Sequence, residues 1–352
     1  MRWPWKRNTS QDPLIVSWCA GTLAYARAHR TGDGQFAVQH MGVERQGSDS
    51  MDDFVRRLQA LGLKGLETHV MLRPEQYQLL QIDAPPVAPE ELRAAARFQI
   101  REMVNVHIDD ITLDVMQVGD GQQRGTNNNL FVVAAKNEVI RQAVALGDAM
   151  NWKVSVINIQ ETAQRNLQSA LAKQDGRLER ADAALLISDE QQAVLTISAN
   201  DELFFTRRLD LPQGFLTMAW GADAEPAIQD APDAFTPVSE YVPDYAGVGA
   251  ATSAVSGDFG DADRLQRFVV EVQRSLDLWD RTWSSMPLGG LRVYAGERSG
   301  EMASWLSREL GQAVTAMELQ AQFPGLQSTD VADRAYCLPL LGVLLRTETR
   351  KL

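Results

Sequence analysis

The chain contains the same order of secondary structure twice, and this repeat limits the fold more than any other feature. Each copy opens with three short apolar segments that have the pattern of β-strands, and each then continues into an amphipathic helix. The predicted strands of the first copy are Leu14–Trp18, Leu23–His29 and Gln35–Val43, and those of the second copy are Ala183–Ile187, Ala193–Ser198 and Leu203–Arg208. The first helix begins at Asp52 or Asp53, and the second runs from about Asp263 to Trp283. A repeated unit of this kind predicts an α/β protein with two similar halves.

The region between the two copies continues the alternation of strands and helices. Leu130–Ala135 and Val154–Ile159 have the apolar character of buried strands, and each precedes a helical pattern. Asn137 fits the N-cap of the first of these helices. At 352 residues the chain is longer than one ordinary core requires, which favours either two domains or one bilobed protein.

Net charge and cysteine content exclude several classes of protein. The net charge of −12 argues against a general nucleic-acid-binding protein, whose surface needs a basic excess. Because Cys19 and Cys337 lie far apart in sequence, a disulfide framework is not expected and a reducing compartment fits. No apolar run is long enough to span a bilayer, and no apolar segment of a secretory signal follows the basic N-terminus. We therefore expect a cytosolic protein that is soluble or attached peripherally to a membrane.

The segment PEELRAAARFQIREMVNVHIDDITLDVMQVG, residues 89–119, predicts a helix followed by a half-buried strand. Pro89 fits a first helical position, and Glu90 and Glu91 lie where the helix dipole favours negative charge. The apolar stripe of the helix consists of Leu92, Ala96, Ile100 and Met103, and the alternating apolar residues of the strand are Ile111, Leu113 and Val115. Three arginines spaced by four lie beside the stripe: Arg93, Arg97 and Arg101.

This helix, its acidic turn and the strand LDVMQVG resemble a segment of the PilM family of pilus-assembly proteins and of its relatives, MshI and the cytoplasmic domain of GspL. Three further patches resemble the same family in the same order: Phe204–Arg208, Val293–Gly300 and Tyr336–Arg346. The last patch is similar to the family's closing helix, which packs back onto the first lobe. The resemblance implies an α/β protein with the actin-like, ribonuclease-H-like fold, in which two lobes are built from duplicated βββαβαβα halves.

The resemblance also implies a division of the chain. Residues 1–180 would form the first lobe, with an inserted subdomain at about 74–128 and a C-terminal helix at 335–352 that completes the lobe. The second lobe would comprise residues 181–334. It contains a segment, 209–263, that has no lysine or arginine and is rich in acidic residues, proline, glycine and alanine. Two interpretations of this segment stay open: a solvated tether, and an acidic surface that meets a basic partner.

Actin-like proteins hold ATP between their lobes with two hairpin loops and a glycine-rich adenosine loop. The hairpins need an aspartate for the metal or its water, and a glycine that lets the backbone approach phosphate. In the first hairpin of this chain Ser17 replaces the aspartate and Cys19 replaces the glycine. In the second hairpin Ile187 and Asp189 replace them. A buried isoleucine cannot organise a hydrated metal, and a carboxylate repels phosphate.

We therefore expect a vestigial nucleotide pocket, no cofactor, no metal and no catalytic residue. The resemblance places the vestigial pocket at Ser17, Gly21, Thr22, Ser188, Gly296 and Gly300. The alternative is an active actin-like protein that retains ATP with magnesium through unusual loops. The four histidines offer no pair at metal-ligand spacing, and no Walker or dinucleotide motif is present, so no other enzyme class is indicated.

The function implied by the resemblance is that of a cytoplasmic scaffold at the inner face of the inner membrane, in a type IV pilus machinery of the MSHA type. Its expected partners are the cytoplasmic tail of a PilN-like bitopic membrane protein, other platform proteins and the assembly ATPase. The stripe of Arg93, Arg97 and Arg101 is either a solvated face or a docking site for an acidic peptide or lipid headgroups. The N-terminus, MRWPWKR, either adds a weak membrane contact or frays. The alternatives are an active actin-like ATPase, a filament-forming relative and a GspL-like component of a type II secretion platform.

Overall fold

The computed structural model describes residues 12–118, 129–220 and 260–347. The elements of the first half are, in chain order, β1 (Leu14–Cys19), β2 (Thr22–Arg30), β3 (Phe36–Arg45), α1 (Met51–Ala60), β4 (Glu67–Leu72), β5 (Tyr77–Asp83), α2 (Leu92–Gln99), β6 (Ile111–Gln117), β7 (Asn129–Lys136), α3 (Asn137–Ala149), β8 (Lys153–Ile159) and α4 (Gln160–Gln174). The elements of the second half are β9 (Ala181–Ile187), β10 (Gln192–Ala199), β11 (Glu202–Asp210), α5 (Asp261–Thr282), β12 (Leu288–Tyr294), α6 (Ser299–Leu310), β13 (Val314–Ala316) and α7 (Val331–Leu344).

The two halves build two five-stranded sheets with the same strand order. The first sheet has the order β3-β2-β1-β4-β8, and the second has the order β11-β10-β9-β12-β13. In each sheet the first three strands pair antiparallel, and the other two strands join in parallel. This duplicated βββαβαβα arrangement confirms the predicted actin-like, bilobed α/β fold.

The last helix of each half packs on the sheet of the other half. α4 follows β8 but contacts β9, β10 and β11, whereas α7 follows β13 and contacts β1, β2 and β3. α7 begins at Val331, earlier than the predicted helix at 335. The two helices also contact each other, and a Cβ on Gly342 of α7 would stand 2.0 Å from the carbonyl oxygen of Ala163 in α4. Only glycine allows this approach, so the crossing of the two helices depends on it.

A three-stranded sheet, in the order β5-β7-β6, is inserted in the chain between β4 and α3. α2 covers this sheet, and its Ala96 and Ile100 belong to the same buried cluster as Leu113 and Val132. The strand predicted at 130–135 forms as β7, but it pairs within this inserted sheet. The inserted sheet therefore extends to Lys136, beyond the predicted end at 128.

Helix α2 differs from its prediction at both ends. It begins at Leu92, so Pro89 is not its first residue and lies instead in the preceding turn. A 3₁₀ turn over Ile100–Glu102 follows the helix, and Met103 beyond it is 46% exposed. The predicted apolar stripe therefore ends at Ile100, because a periodic pattern does not show where a tighter turn replaces the helix.

The acidic segment predicted at 209–263 is shorter in the structure. β11 takes up its first two residues, and α5 takes up its last three. Phe215 and Trp220 are buried in the second lobe: Phe215 lies 4.7 Å from Phe268 between ring centroids, and Trp220 stacks on Trp305 at 5.9 Å. Residues 221–259, which hold the rest of the predicted segment, lie outside the described residues, as does the N-terminal MRWPWKR.

Candidate functional site

The hairpin between β1 and β2 carries the first group of predicted nucleotide-site residues. The hydroxyl of Ser17 is buried and has no hydrogen-bond partner among the residues that the structure describes. Gly21 has a φ of +72° in the turn, and Thr22 pairs with Cys19 across the hairpin. The turn thus keeps a glycine that its conformation requires. β1, however, ends in a hydroxyl and a thiol, neither of which supplies the carboxylate oxygen that magnesium prefers.

The hairpin between β9 and β10 is closed by its own aspartate. Oδ1 of Asp189 accepts hydrogen bonds from the backbone amides of Gln191 at 2.8 Å and Gln192 at 3.0 Å. The preceding residue, Ser188, is buried, and its hydroxyl accepts a hydrogen bond of 3.4 Å from Nε2 of Gln160. Because the carboxylate already satisfies the two amides, another anion could reach them only by displacing Asp189.

The loop between β12 and α6 brings together the last two predicted residues. Gly296 has a φ of +61°, and Gly300 is the second residue of α6. Both line a pocket of about 200 Å³, together with Met317, Leu319 and Arg334 among others. The described residues that line this pocket include none of the four predicted positions on the two hairpins, Ser17, Gly21, Thr22 and Ser188.

A buried arginine that follows β4 stacks on a tyrosine of α7. Arg73, which follows β4, is 1% exposed, and its guanidinium carbon lies 3.5 Å from the centroid of the Tyr336 ring. Nη2 of Arg73 also donates to the carbonyl oxygen of Tyr336 at 2.7 Å. Burial raises the pKa of Tyr336, and the charge of Arg73 opposes that shift.

The thiol at the first hairpin is held in its protonated form. Sγ of Cys19 donates a hydrogen bond of 3.2 Å to Oε1 of Glu75. Burial, and then the charge of Glu75, raise the pKa of Cys19 to about 12. Since the thiolate is the reactive form of cysteine, Cys19 is not activated as a nucleophile.

A buried ion pair joins the two lobes beneath this region. Glu161, in the first turn of α4, accepts hydrogen bonds at Oε1 from Nη2 and Nε of Arg208 on β11, at 3.0 and 3.2 Å. The hydroxyl of Tyr77 donates to Oε2 of the same carboxylate. Arg208 also donates to the carbonyl oxygen of Pro74 and lies over the Tyr77 ring. Burial, followed by the charge of Glu161, raises the pKa of Tyr77 well above its ordinary value.

Sequence reasoning did not find this inter-lobe network. Glu161 stands in the first turn of a helix, where acidic residues are common at protein surfaces, and nothing nearby in the sequence marks it as buried. The only signal was Arg208 itself, which ends the strand that resembles the PilM family.

The three arginines of the predicted basic stripe make different contacts in the structure. Arg93 forms an ion pair of 3.0 Å with Asp114, and Arg97 donates to the carbonyl oxygens of Ile108 and Ile111. Two of the three arginines therefore hold the inserted sheet and its neighbouring loop together. Arg101, the third, is exposed.

Metal sites and membrane-spanning helices are both absent from the described ranges. No group of three or more histidine, cysteine or acidic side chains there could hold a metal ion. Over the same part of the chain, no helix combines the length and the apolar character that crossing a bilayer requires.

The strand orders, the antiparallel hairpins and the crossed closing helices define the actin-like class of α/β proteins. The structure is similar to the "PilM-PilN type IV pilus biogenesis complex" over 96% of this chain and 99% of that chain, with a TM-score of 0.64 and 14% sequence identity. This likeness confirms the resemblance to PilM at the level of the fold.

Two further structures are more distant. The cytoplasmic domain of EpsL, an inner-membrane component of the type II secretion system of Vibrio cholerae, has a TM-score of 0.39 and 12% identity over 56% of this chain and 70% of that one. A protein of unknown function with an actin-like ATPase fold from Bacteroides thetaiotaomicron has a TM-score of 0.47 and 8% identity over 94% of this chain and 96% of that one. No protein-family model and no curated protein matches the sequence.

Proposed function

We propose that the chain is a scaffold of a type IV pilus assembly machinery, of the MSHA type, that binds the cytoplasmic tail of a PilN-like membrane protein and does not hydrolyse ATP. The fold supports this proposal, because the likeness to PilM in its complex with PilN extends over nearly the full length of both chains. A peptide tail held between subdomains is a form of recognition that needs no catalytic group.

The proposal that the chain does not hydrolyse ATP rests on the hydrogen bonds that Asp189 makes within the second hairpin. Asp189 occupies the hairpin amides with a carboxylate, and Glu75 adds a second carboxylate beside the first hairpin. ATP would bring several negative charges to the same place, where the Coulomb term would be repulsive. The residues at the two hairpins therefore do not fit a triphosphate with magnesium, and the proposal treats the nucleotide-site positions Ser17, Gly21, Thr22, Ser188, Gly296 and Gly300 as vestigial.

The inter-lobe ion pair supplies a second reason. In a nucleotide-binding protein of this class the ligand contacts both lobes and helps to set their relative position. Here Arg208 of the second lobe reaches Glu161, Tyr77 and Pro74 of the first. A scaffold with such an internal link keeps one arrangement of its lobes without a cofactor.

We place the protein in the cytoplasm at the inner face of the inner membrane, where the PilN-like tail, other platform proteins and the assembly ATPase would be its partners. Of the stripe Arg93, Arg97 and Arg101, the proposal relies most on Arg101, since the other two side chains hold the inserted sheet together. Exposed Phe98, near the end of α2 and three residues before Arg101, adds apolar area to that surface.

The test is co-purification with the tail of a PilN-like protein encoded in the same genome, fused to a carrier protein. The full chain should retain the fusion on an affinity resin, and a tail of scrambled sequence should not be retained. Failure to bind this tail, combined with binding to the corresponding type II secretion component, would move the chain to a GspL-like role. Nucleotide-dependent filaments in a sedimentation assay would contradict both roles.

A further inference from the structure

The outer face of α2 carries the most exposed large apolar side chain of the described residues. Phe98 is 78% exposed, whereas the other exposed apolar side chains of this kind lie between 38% and 49%. The inserted sheet separates α2 from the two lobes. On the face of that sheet opposite to α2, Phe131 belongs to the core of the second lobe and Ala135 to that of the first. α2 therefore presents Phe98 on the outside of the molecule.

Four exposed side chains share this outer face, two on each side of the buried Ala96. The backbone keeps helical turns from Glu91, just before α2, to Arg101 in the 3₁₀ turn that follows the helix. A helix turns by about 100° per residue, so Ala94 and Phe98 both point about 160° away from Ala96. By the same geometry Glu91 and Arg101 point about 140° away from it. All four are exposed to solvent.

The four residues are symmetric about Ala96 in position and complementary in kind. Ala94 and Phe98 lie at equal distances in sequence on either side of it, as do Glu91 and Arg101. When a second copy of the helix packs antiparallel across a two-fold axis at the level of Ala96, each residue therefore faces the other member of its pair. Phe98 then packs over the partner's Ala94, whose small side chain leaves room for the ring. Glu91 meets the partner's Arg101 at each end of the contact.

The monomer itself makes little use of these side chains. Arg93 and Arg97 are bound within the inserted subdomain, to a carboxylate and to backbone carbonyl oxygens. Glu91 and Arg101, in contrast, form no salt bridge with another described residue. The helix dipole tolerates both of these charges, but it gives no reason for Phe98. Phenylalanine is also a weaker helix former than alanine, so local stability does not explain it.

We propose that two copies of the chain associate through α2 as a two-fold symmetric dimer in which the two helices pack antiparallel. Phe98 and the partner's Ala94 form the centre of the contact, and the ion pairs between Glu91 and the partner's Arg101 form its two ends. One helix face buries less than the roughly 800 Å² per partner of a standard interface, so the dimer should dissociate on dilution.

The dimer goes beyond the function proposed above and does not rest on it. That function uses Arg101 and Phe98 for the tail of a membrane protein, so a bound tail and a second copy would exclude each other. The association of the chain with itself is measured without any tail, and its failure would leave the co-purification test unaffected.

The test is sedimentation velocity of the full chain at concentrations from about 5 to about 300 µM, a range that suits a weak interface. The weight-average sedimentation coefficient of the parent chain should rise with concentration. Either charge reversal, E91R or R101E, should raise the dissociation constant of the dimer at least about tenfold, because it places like charges at both ends of the contact. F98A should weaken the dimer as well, because it removes the central ring. The matched controls lie on α5, where R281E and L278A change an exposed charge and an exposed apolar side chain and should have no effect.

The two charge reversals give a stricter test when they are combined. An E91R chain has arginine at both positions and an R101E chain has glutamate at both, so neither should associate with itself. Mixed in equal amounts they should form a heterodimer, because each end of the contact then joins opposite charges. The double variant E91R/R101E exchanges the two charges within one chain and should dimerise like the parent. A variant that had merely lost its fold would not be rescued in either way.

Three results would overturn the inference. The first is a parent chain that stays monomeric over the whole concentration range. The second is a dimer whose dissociation constant is the same in the parent chain, F98A and both charge reversals, since that dimer would use another surface. The third is the absence of a heterodimer in the mixture of E91R and R101E, which would exclude the antiparallel pairing. Circular dichroism should show that each variant is folded, and F98A keeps the test available if a charge reversal unfolds, because alanine is the best helix former.

Discussion

Helices α4 and α7 occupy equivalent positions in the two halves, but the side chains that they present to their sheets differ in polarity. α7 presents an apolar surface to the first sheet, with Leu338, Leu340 and Leu341 fully buried. α4 presents a stripe of three glutamines, spaced by four, to the second sheet: Gln160, Gln164 and Gln168. α7 is therefore held by burial of apolar area, whereas α4 adds hydrogen bonds from its glutamines to the burial of Ala163, Leu167 and Leu171.

The glutamine stripe fixes the register of α4 on the second lobe. Nε2 of Gln164 donates to the carbonyl oxygens of Ala184 at 3.0 Å and Val194 at 2.9 Å. One turn further, Gln168 accepts a hydrogen bond of 2.6 Å from the hydroxyl of Thr196. Hydrogen bonds have narrow preferred distances and angles, whereas apolar contacts tolerate sliding. The comparison shows that directional hydrogen bonds set the position of α4 on the second sheet, whereas α7 contributes buried apolar area on the first sheet.

The sharpest way to break this arrangement is to separate the two helices. Gly342→Ala should lower the free energy of unfolding by about 3 kcal/mol or more, because the added Cβ meets the carbonyl oxygen of Ala163 at 2.0 Å. The measurement is urea unfolding followed by circular dichroism.

Gly300→Ala is the control for Gly342→Ala. Gly300 lies in α6 with open space around its Cα, so an alanine there should be neutral or slightly stabilising. Equal stability of Gly342→Ala and the parent chain would show that the two helices do not approach as described.

The next largest effect concerns the polar end of α4. Glu161→Gln leaves Arg208 without its counter-charge in a largely buried site and should cost about 2–3 kcal/mol. Arg208→Met should cost a similar amount, and the double variant should be less unstable than the sum of the two by at least about 1 kcal/mol. Additive losses in this double-mutant cycle would mean that Glu161 and Arg208 do not act as a pair across the lobes.

A smaller loss is expected within the glutamine stripe. Gln168→Leu should cost about 1–2 kcal/mol, although leucine is apolar and of similar size, because the buried hydroxyl of Thr196 loses its acceptor. The double variant Gln168→Leu/Thr196→Val removes both partners and should recover most of that loss. If Gln168→Leu were stabilising, α4 would be held by apolar packing in the same way as α7.

The contrast between the two helices also explains what could be predicted from the sequence. The resemblance to the PilM family predicted that the closing helix packs onto the first lobe, and the strand pattern predicted the three antiparallel strands that open each five-stranded sheet. The glutamines of α4 gave no such signal, because a polar helix normally indicates an exposed one. The sequence also shows that Ser17 replaces the expected aspartate of the first hairpin and that Asp189 replaces the expected glycine of the second. It does not show that Asp189 accepts hydrogen bonds from the amides of its own hairpin. Those bonds follow from the backbone conformation of the turn.

The smallest expected effect on stability at neutral pH comes from replacing Cys337, whose thiol lies on α7. Burial raises the pKa of Cys337 from 9.0 to about 12. Because the thiol holds its proton more tightly in the folded state, it contributes to the stability of the fold. That contribution is complete at a pH below the pKa of the unfolded thiol, and it is lost as the pH rises toward the pKa of the folded thiol. Urea unfolding of the parent chain should therefore show a steeper loss of stability between pH 9 and 12 than that of Cys337→Ala. Parallel losses would mean that the thiol is not buried under α7. The tyrosines titrate in both chains, so the difference between the chains reports the thiol.

The central claim of the proposal is that the chain does not bind ATP, because Asp189 occupies the backbone amides of the second hairpin. Isothermal titration calorimetry of the full chain with ATP and magnesium tests it most directly. The account predicts no saturable heat up to millimolar ATP, with or without the metal. A saturable isotherm with micromolar affinity that depends on magnesium would contradict it, because Asp189 would then have to leave the hairpin amides that it caps.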